Sequence, residues 1–76
     1  MTTATEWAEQ FAKALGTTAP SEEEADALLG LAGIAAHASE RTAAPLSAWI
    51  VGRAGASPAE AKDAARRLAA KLESES

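Results

Sequence analysis

The stretch Ser21-Glu22-Glu23-Glu24-Ala25-Asp26-Ala27-Leu28-Leu29-Gly30-Leu31-Ala32-Gly33-Ile34-Ala35-Ala36 decides the fold. Ser21 followed by Glu24 is a capping box. Each side chain can accept a hydrogen bond from the other's backbone amide at a helix start. Glu22, Glu23, Glu24 and Asp26 then place negative charge at the positive end of the helix dipole. This is helix-start chemistry rather than an acidic docking patch. Beyond Asp26 the segment is apolar on nearly every side, the signature of a buried central helix. Its apolar run, Ala27 to Ala36, is too short to span a bilayer. Gly30 and Gly33 weaken the helix locally, which predicts a close neighbour there, such as a tryptophan ring.

Working outward, Thr3 and Glu6 form a second capping box, and Trp7, Phe11 and Leu15 follow at helical spacing. Gly16 is placed to end that helix in the left-handed conformation. On the other side, Pro45 suits the first residue of a third helix, with Leu46, Trp49 and Ile50 as its stripe. Gly52 or Gly55 stops it. Ser57-Pro58-Ala59-Glu60 combines a cap, a proline and a capping box, the strongest helix start in the chain. Ala61, Ala64, Ala65, Leu68 and Leu72 are its expected inner face, Asp63 and Arg67 an exposed ion pair, and Glu73 to Ser76 a frayed end. β-Branched and aromatic residues are scarce, which disfavours a sheet. The expected fold is all-α: one domain over residues 1–76, a compact four-helix bundle with helices near 4–15, 22–39, 45–54 and 58–73. Short connections predict antiparallel neighbours around an alanine-rich core, with Trp7 and Trp49 inside it.

Composition narrows the function more than it defines it. The chain has 76 residues and no cysteine, so disulfide and thiolate chemistry are excluded. Its start has no basic segment followed by an apolar stretch, and the expected compartment is the cytoplasm. The net charge of -4 argues against nucleic acid as a main partner. Charge is also uneven. Residues 1–40 carry seven acids and one base, net -6; residues 41–76 carry six bases and four acids, net +2. Lys62, Arg66, Arg67 and Lys71 give the last helix a basic outer surface, read as a solvated face.

No catalytic or cofactor-binding set stands out. His37 is the sole histidine, and spacing supplies no second acid, base or nucleophile beside it. One histidine without clustered carboxylates is no metal site. Gly52-Arg53-Ala54-Gly55 has the spacing of an RNA-clamping loop, but without the strands of that fold it reads as a helix–helix turn. His37 and Arg41 fall near the end of the second helix, where hydrogen-bonding or positive groups suit the exposed carbonyls.

The segment Ala35-Ala36-His37-Ala38-Ser39-Glu40-Arg41-Thr42-Ala43-Ala44-Pro45-Leu46-Ser47-Ala48-Trp49 is the distinctive one. It resembles a small actinobacterial domain of unknown function that occurs alone and fused to the C-terminal end of molybdenum cofactor guanylyltransferases. That family commonly has Arg-Pro where this chain has Arg41-Thr42, and Leu or Phe where it has Trp49. The resemblance implies no activity of its own. It does imply a non-enzymatic accessory or interaction role near molybdenum cofactor biosynthesis, with a guanylyltransferase-like protein as partner. The transferase's glycine-rich nucleotide motif is absent, so guanylyl transfer is not expected. The candidate interaction surface is His37, Arg41, Pro45 and Trp49. Two other readings stay open at this point: a small-molecule or nucleotide-cofactor pocket at the same junction, and a structural homodimer. The expectation is a monomer or weak homodimer with no bound cofactor, metal, nucleic acid or membrane.

Overall fold

The computed structural model describes residues 2–75. It contains four helices and, among the described residues, no strand: α1 (Ala4–Ala14), α2 (Glu22–Ala38), α3 (Ala43–Ala54) and α4 (Pro58–Glu75). The all-α expectation holds, and each helix end has a local cause. At α1 the Thr3 amide donates to Glu6 Oε1 at 3.0 Å and the Glu6 amide donates to Thr3 Oγ1 at 3.1 Å. Ser21 and Glu24 repeat this at α2, and Ser57 and Glu60 at α4. Gly16 (φ 76°) ends α1 in a Schellman turn. The Thr17 amide donates to the Ala12 carbonyl at 2.9 Å and the Gly16 amide to that of Lys13 at 3.1 Å. Gly55 (φ 69°) closes α3 with the same pattern of amides reaching back to Val51 and Gly52. Gly52 lies within α3, so the Gly52–Gly55 segment is a helix end and its turn.

The Thr3 box gives a pH dependence with a definite sign. Hydrogen bonds from the Thr3 backbone, then its side chain, hold the Glu6 carboxyl below its ordinary value of 4.5. A depressed carboxylate stabilises above its unfolded pKa, and that contribution disappears as pH falls through the folded value. Acidification below about pH 4.5 should therefore fray the α1 start. The Thr3 amide resonance should move with the Glu6 titration. A Thr3 amide indifferent to that titration would contradict the box.

Two helix boundaries and one ion pair differ from expectation. α3 begins at Ala43, two residues before Pro45, with no side-chain cap at Thr42. Proline is tolerated there because the first amides of a helix have no intrahelical partner to lose. α4 continues to Glu75 instead of fraying from Glu73; Ser76 lies outside the described residues. The α4 ion pair joins Asp63 to Arg66 at 3.5 Å, not to Arg67. Both side chains are well exposed, so it contributes little.

α2 is the hub. It packs closely with both α3 and α4, whereas α1 is not closely packed against any helix. α4 runs parallel to α2: Lys62 lies by Gly30, and Ala69 and Leu72 lie by Gly33, Ile34 and His37. α3 runs back the other way, its Val51 and Gly52 lining a groove with Leu28 and Glu24. The direction therefore reverses from α2 to α3 and again from α3 to α4, as short connections predict, which leaves α4 parallel to α2. The neighbour over Gly30 is the Lys62 side chain, not a tryptophan. A Cβ at Gly30 would meet Lys62 Cε at 2.7 Å, whereas one at Gly33 would meet nothing within 4 Å. The obstructing atoms are the end of a flexible chain, and alanine is favoured over glycine in a helix by about 1 kcal/mol. Gly30→Ala is therefore expected to raise stability slightly in a denaturant titration. A loss above about 1 kcal/mol would mean that Lys62 is locked in place.

Candidate interaction surface

α1, α3 and α4 share one arrangement of side-chain sizes. Where α4 meets α2 its half-buried residues are Ala61, Lys62, Ala65 and Ala69, while Leu68 and Leu72 stand exposed. In α3 the half-buried positions are Ala43, Ala44, Ser47 and Val51, while Leu46, Trp49 and Ile50 are exposed. In α1 Ala8 is half-buried and Ala12 buried, while Trp7, Phe11 and the C-cap residue Leu15 are exposed. Small residues line the inside of the bundle and large ones the outside. Alanine faces let helix axes approach closely, but they enclose little apolar volume. Leu31, 4 % exposed, is the one large side chain buried among the described residues.

This overturns the expected core. Trp7 is 61 % exposed and Trp49 68 % exposed, and neither is a core residue. Ala64 and Leu68, expected on the inner face of α4, are exposed as well. The helical stripes are present, but α2 covers the small-residue edge of α3 and of α4, and the large-residue edge of all three outer helices is bare.

The uncovered area is large. The chain exposes 6083 Å² for a mass of 7.7 kDa. A compact monomer of that mass exposes about 4,300 Å². The excess is roughly 1,750 Å², about twice what one side of a standard protein–protein interface buries. The radius of gyration, 13.4 Å, agrees, since a compact chain of this length has about 11.4 Å. α3 is the part least suited to water. From Thr42 to Gly52 it carries no charged residue, while Leu46, Trp49 and Ile50 are exposed. Charge depletion with exposed aromatic and aliphatic side chains is the composition of an interface centre.

The four sequence-predicted site residues lie around this helix. His37 is exposed in the last turn of α2, Arg41 in the turn that follows, Pro45 in the first turn of α3 and Trp49 one turn beyond. They do not line one groove. The groove containing His37 is formed by Gly33, Ile34, Ala38, Ala69, Leu72 and Glu73, from α2 and α4, without Arg41, Pro45 or Trp49. No side-chain hydrogen bond or ion pair joins His37 or Arg41 to another described residue. The junction is fastened by other groups. The Ala43 amide donates to the Glu40 carbonyl at 2.8 Å, and the Thr42 hydroxyl donates to Glu40 Oε1 at 3.2 Å. Leu46 and Ile50 are the surface residues that sequence reasoning left in the core. Their signal was the uncharged run from Thr42 to Gly52, more than a lone stripe requires.

No buried polar or charged side chain occurs among the described residues, and no three potential metal ligands cluster there. No described helix is long and apolar enough to cross a membrane. One family matches the chain in sequence, over residues 1–76: a domain of unknown function, DUF6457. No curated protein and no solved structure matches it significantly.

Proposed function

The chain belongs to the DUF6457 family, and we propose that it acts as a non-enzymatic protein-interaction module associated with molybdenum cofactor biosynthesis. The observation that carries the interaction role is α3, uncharged as far as Gly52, with Leu46, Trp49 and Ile50 facing solvent. A helix of this kind lies in a groove of a partner through anchors at helical spacing. Pro45 lies in the first turn of the helix, and Arg41 just before that turn suits an acidic or anionic group at the rim of the contact.

The link to the cofactor rests on the resemblance of the Ala35–Trp49 segment to actinobacterial domains fused to molybdenum cofactor guanylyltransferases. The proposed partner is accordingly a guanylyltransferase-like protein, met in the cytoplasm. The chain supplies contact surface, and guanylyl transfer belongs to the partner.

Titration of the purified chain into the guanylyltransferase of its own host, followed by calorimetry, tests this reading. Saturable binding is expected. Trp49→Ala should weaken it about 30-fold or more, as removal of a central aromatic anchor does. An intact guanylyltransferase that gives no heat at high micromolar concentrations would remove the proposed partner.

A further inference from the structure

We infer that the apolar stripe of α1 is covered by α4 of a second copy of this chain, in a two-fold pair that makes the contact twice. The uncovered area permits it. The excess of roughly 1,750 Å² can supply one standard interface of about 800 Å² per partner and still leave α3 free. The stripe is preorganised: the Trp7 and Phe11 rings stack at 5.6 Å with an interplanar angle of 13°. Both rings are about half exposed or more, and α1 packs closely against no helix of its own chain.

The complementary strip lies on α4. Leu68 and Leu72 are exposed there, and residues 64–72 carry three bases and no acid. Residues 2–15, which include the α1 stripe, carry two acids, Glu6 and Glu9, and one base, Lys13, net -1. An apolar strip of net negative charge thus matches an apolar strip of net positive charge, and opposed potentials favour the encounter.

The chain does not satisfy itself. α1 lies beside the first half of α2, sharing a groove with Ala25, Leu28 and Leu29, while Leu72 lies beside His37 near the far end. Leu28 to His37 spans about 14 Å along the helix. A second copy related by a two-fold axis brings the two ends together. Such an interface is self-complementary, since each copy contributes both strips.

Sedimentation equilibrium of the full chain should give twice 7.7 kDa in the hundred-micromolar range. Isotope-filtered NOEs in a mixed labelled and unlabelled sample should connect Trp7 and Phe11 to Leu68 and Leu72. Phe11→Glu should raise the dimer dissociation constant at least 30-fold with helicity kept. If that variant unfolds, Leu68→Glu provides the same test from α4. Three results would each overturn the pair: a wild-type chain that stays monomeric at millimolar concentration, intermolecular NOEs that map elsewhere, or both folded variants dimerising like wild type. A monomer that still binds the guanylyltransferase would leave the α3 reading standing, so the two fail separately.

Discussion

Leu31→Ala is expected to destabilise the chain more than any other single truncation, by about 2–5 kcal/mol. Leu31 is the one large side chain with almost no exposure among the described residues, and it sits on the helix against which α3 and α4 both pack. The inner faces of α3 and α4 are largely alanine, so few side chains can collapse into the hole. A chain of 76 residues has about 4–11 kcal/mol of stability in total. The variant should therefore be largely unfolded or melt more than about 10 °C lower, as read by circular dichroism. Trp49→Ala in dilute chain should change stability by less than about 0.5 kcal/mol, although it removes far more side chain. Equal losses for the two variants would mean that Trp49 is part of the core after all.

The second large effect runs in the opposite chemical direction. Ala65→Leu should destabilise by about 1–3 kcal/mol, because an isobutyl group in place of a methyl in the α2–α4 seam forces the helices apart. Ala65 is half-buried between Ala61 and Ala69, on the side of α4 that carries Lys62 over Gly30. In an ordinary small domain, enlarging a partly covered alanine often fills space and stabilises. Here the inner faces hold α3 and α4 close to α2, so small residues are required where large ones are usual. Chemical denaturation of the variant provides the check. A gain in stability would show that the seam is loose and that alanine merely fails to fill it.

The difference between what the residues disclosed and what they hid follows from range. The starts of α1, α2 and α4 and the ends at Gly16 and Gly55 could be read from sequence because a capping box and a Schellman turn are made by residues a few positions apart. The parallel course of α4 along α2 follows from short connections that reverse the chain twice. The choice of α2 as the helix that takes both α3 and α4, with α1 left loose, could not be read, because it depends on which faces pack and not on loop length. The stripes themselves were legible, but periodicity gives a face about 100° wide and does not say which edge is covered. In α4 the alanines at 61, 65 and 69 and the leucines at 68 and 72 share that face, and α2 takes the alanine edge. The usual expectation that the largest residues lie inside therefore placed Trp7 and Trp49 wrongly. Of the candidate site, Pro45 and Trp49 were found for a different reason from the one that makes them accessible. Leu46 and Ile50 were missed because they were assigned to the core.

An outward-facing layer of large apolar side chains is the feature on which both the α3 partner and the α1–α4 pairing depend. It is tested most directly by acrylamide quenching of the single tryptophan left in Trp7→Phe. Trp49 should be quenched in the purified chain nearly as fast as free indole, with emission characteristic of water, and should become protected when the guanylyltransferase is added. A Trp49 that is already blue-shifted and shielded in the isolated, dilute chain would mean that the helices close over it, and would contradict the account.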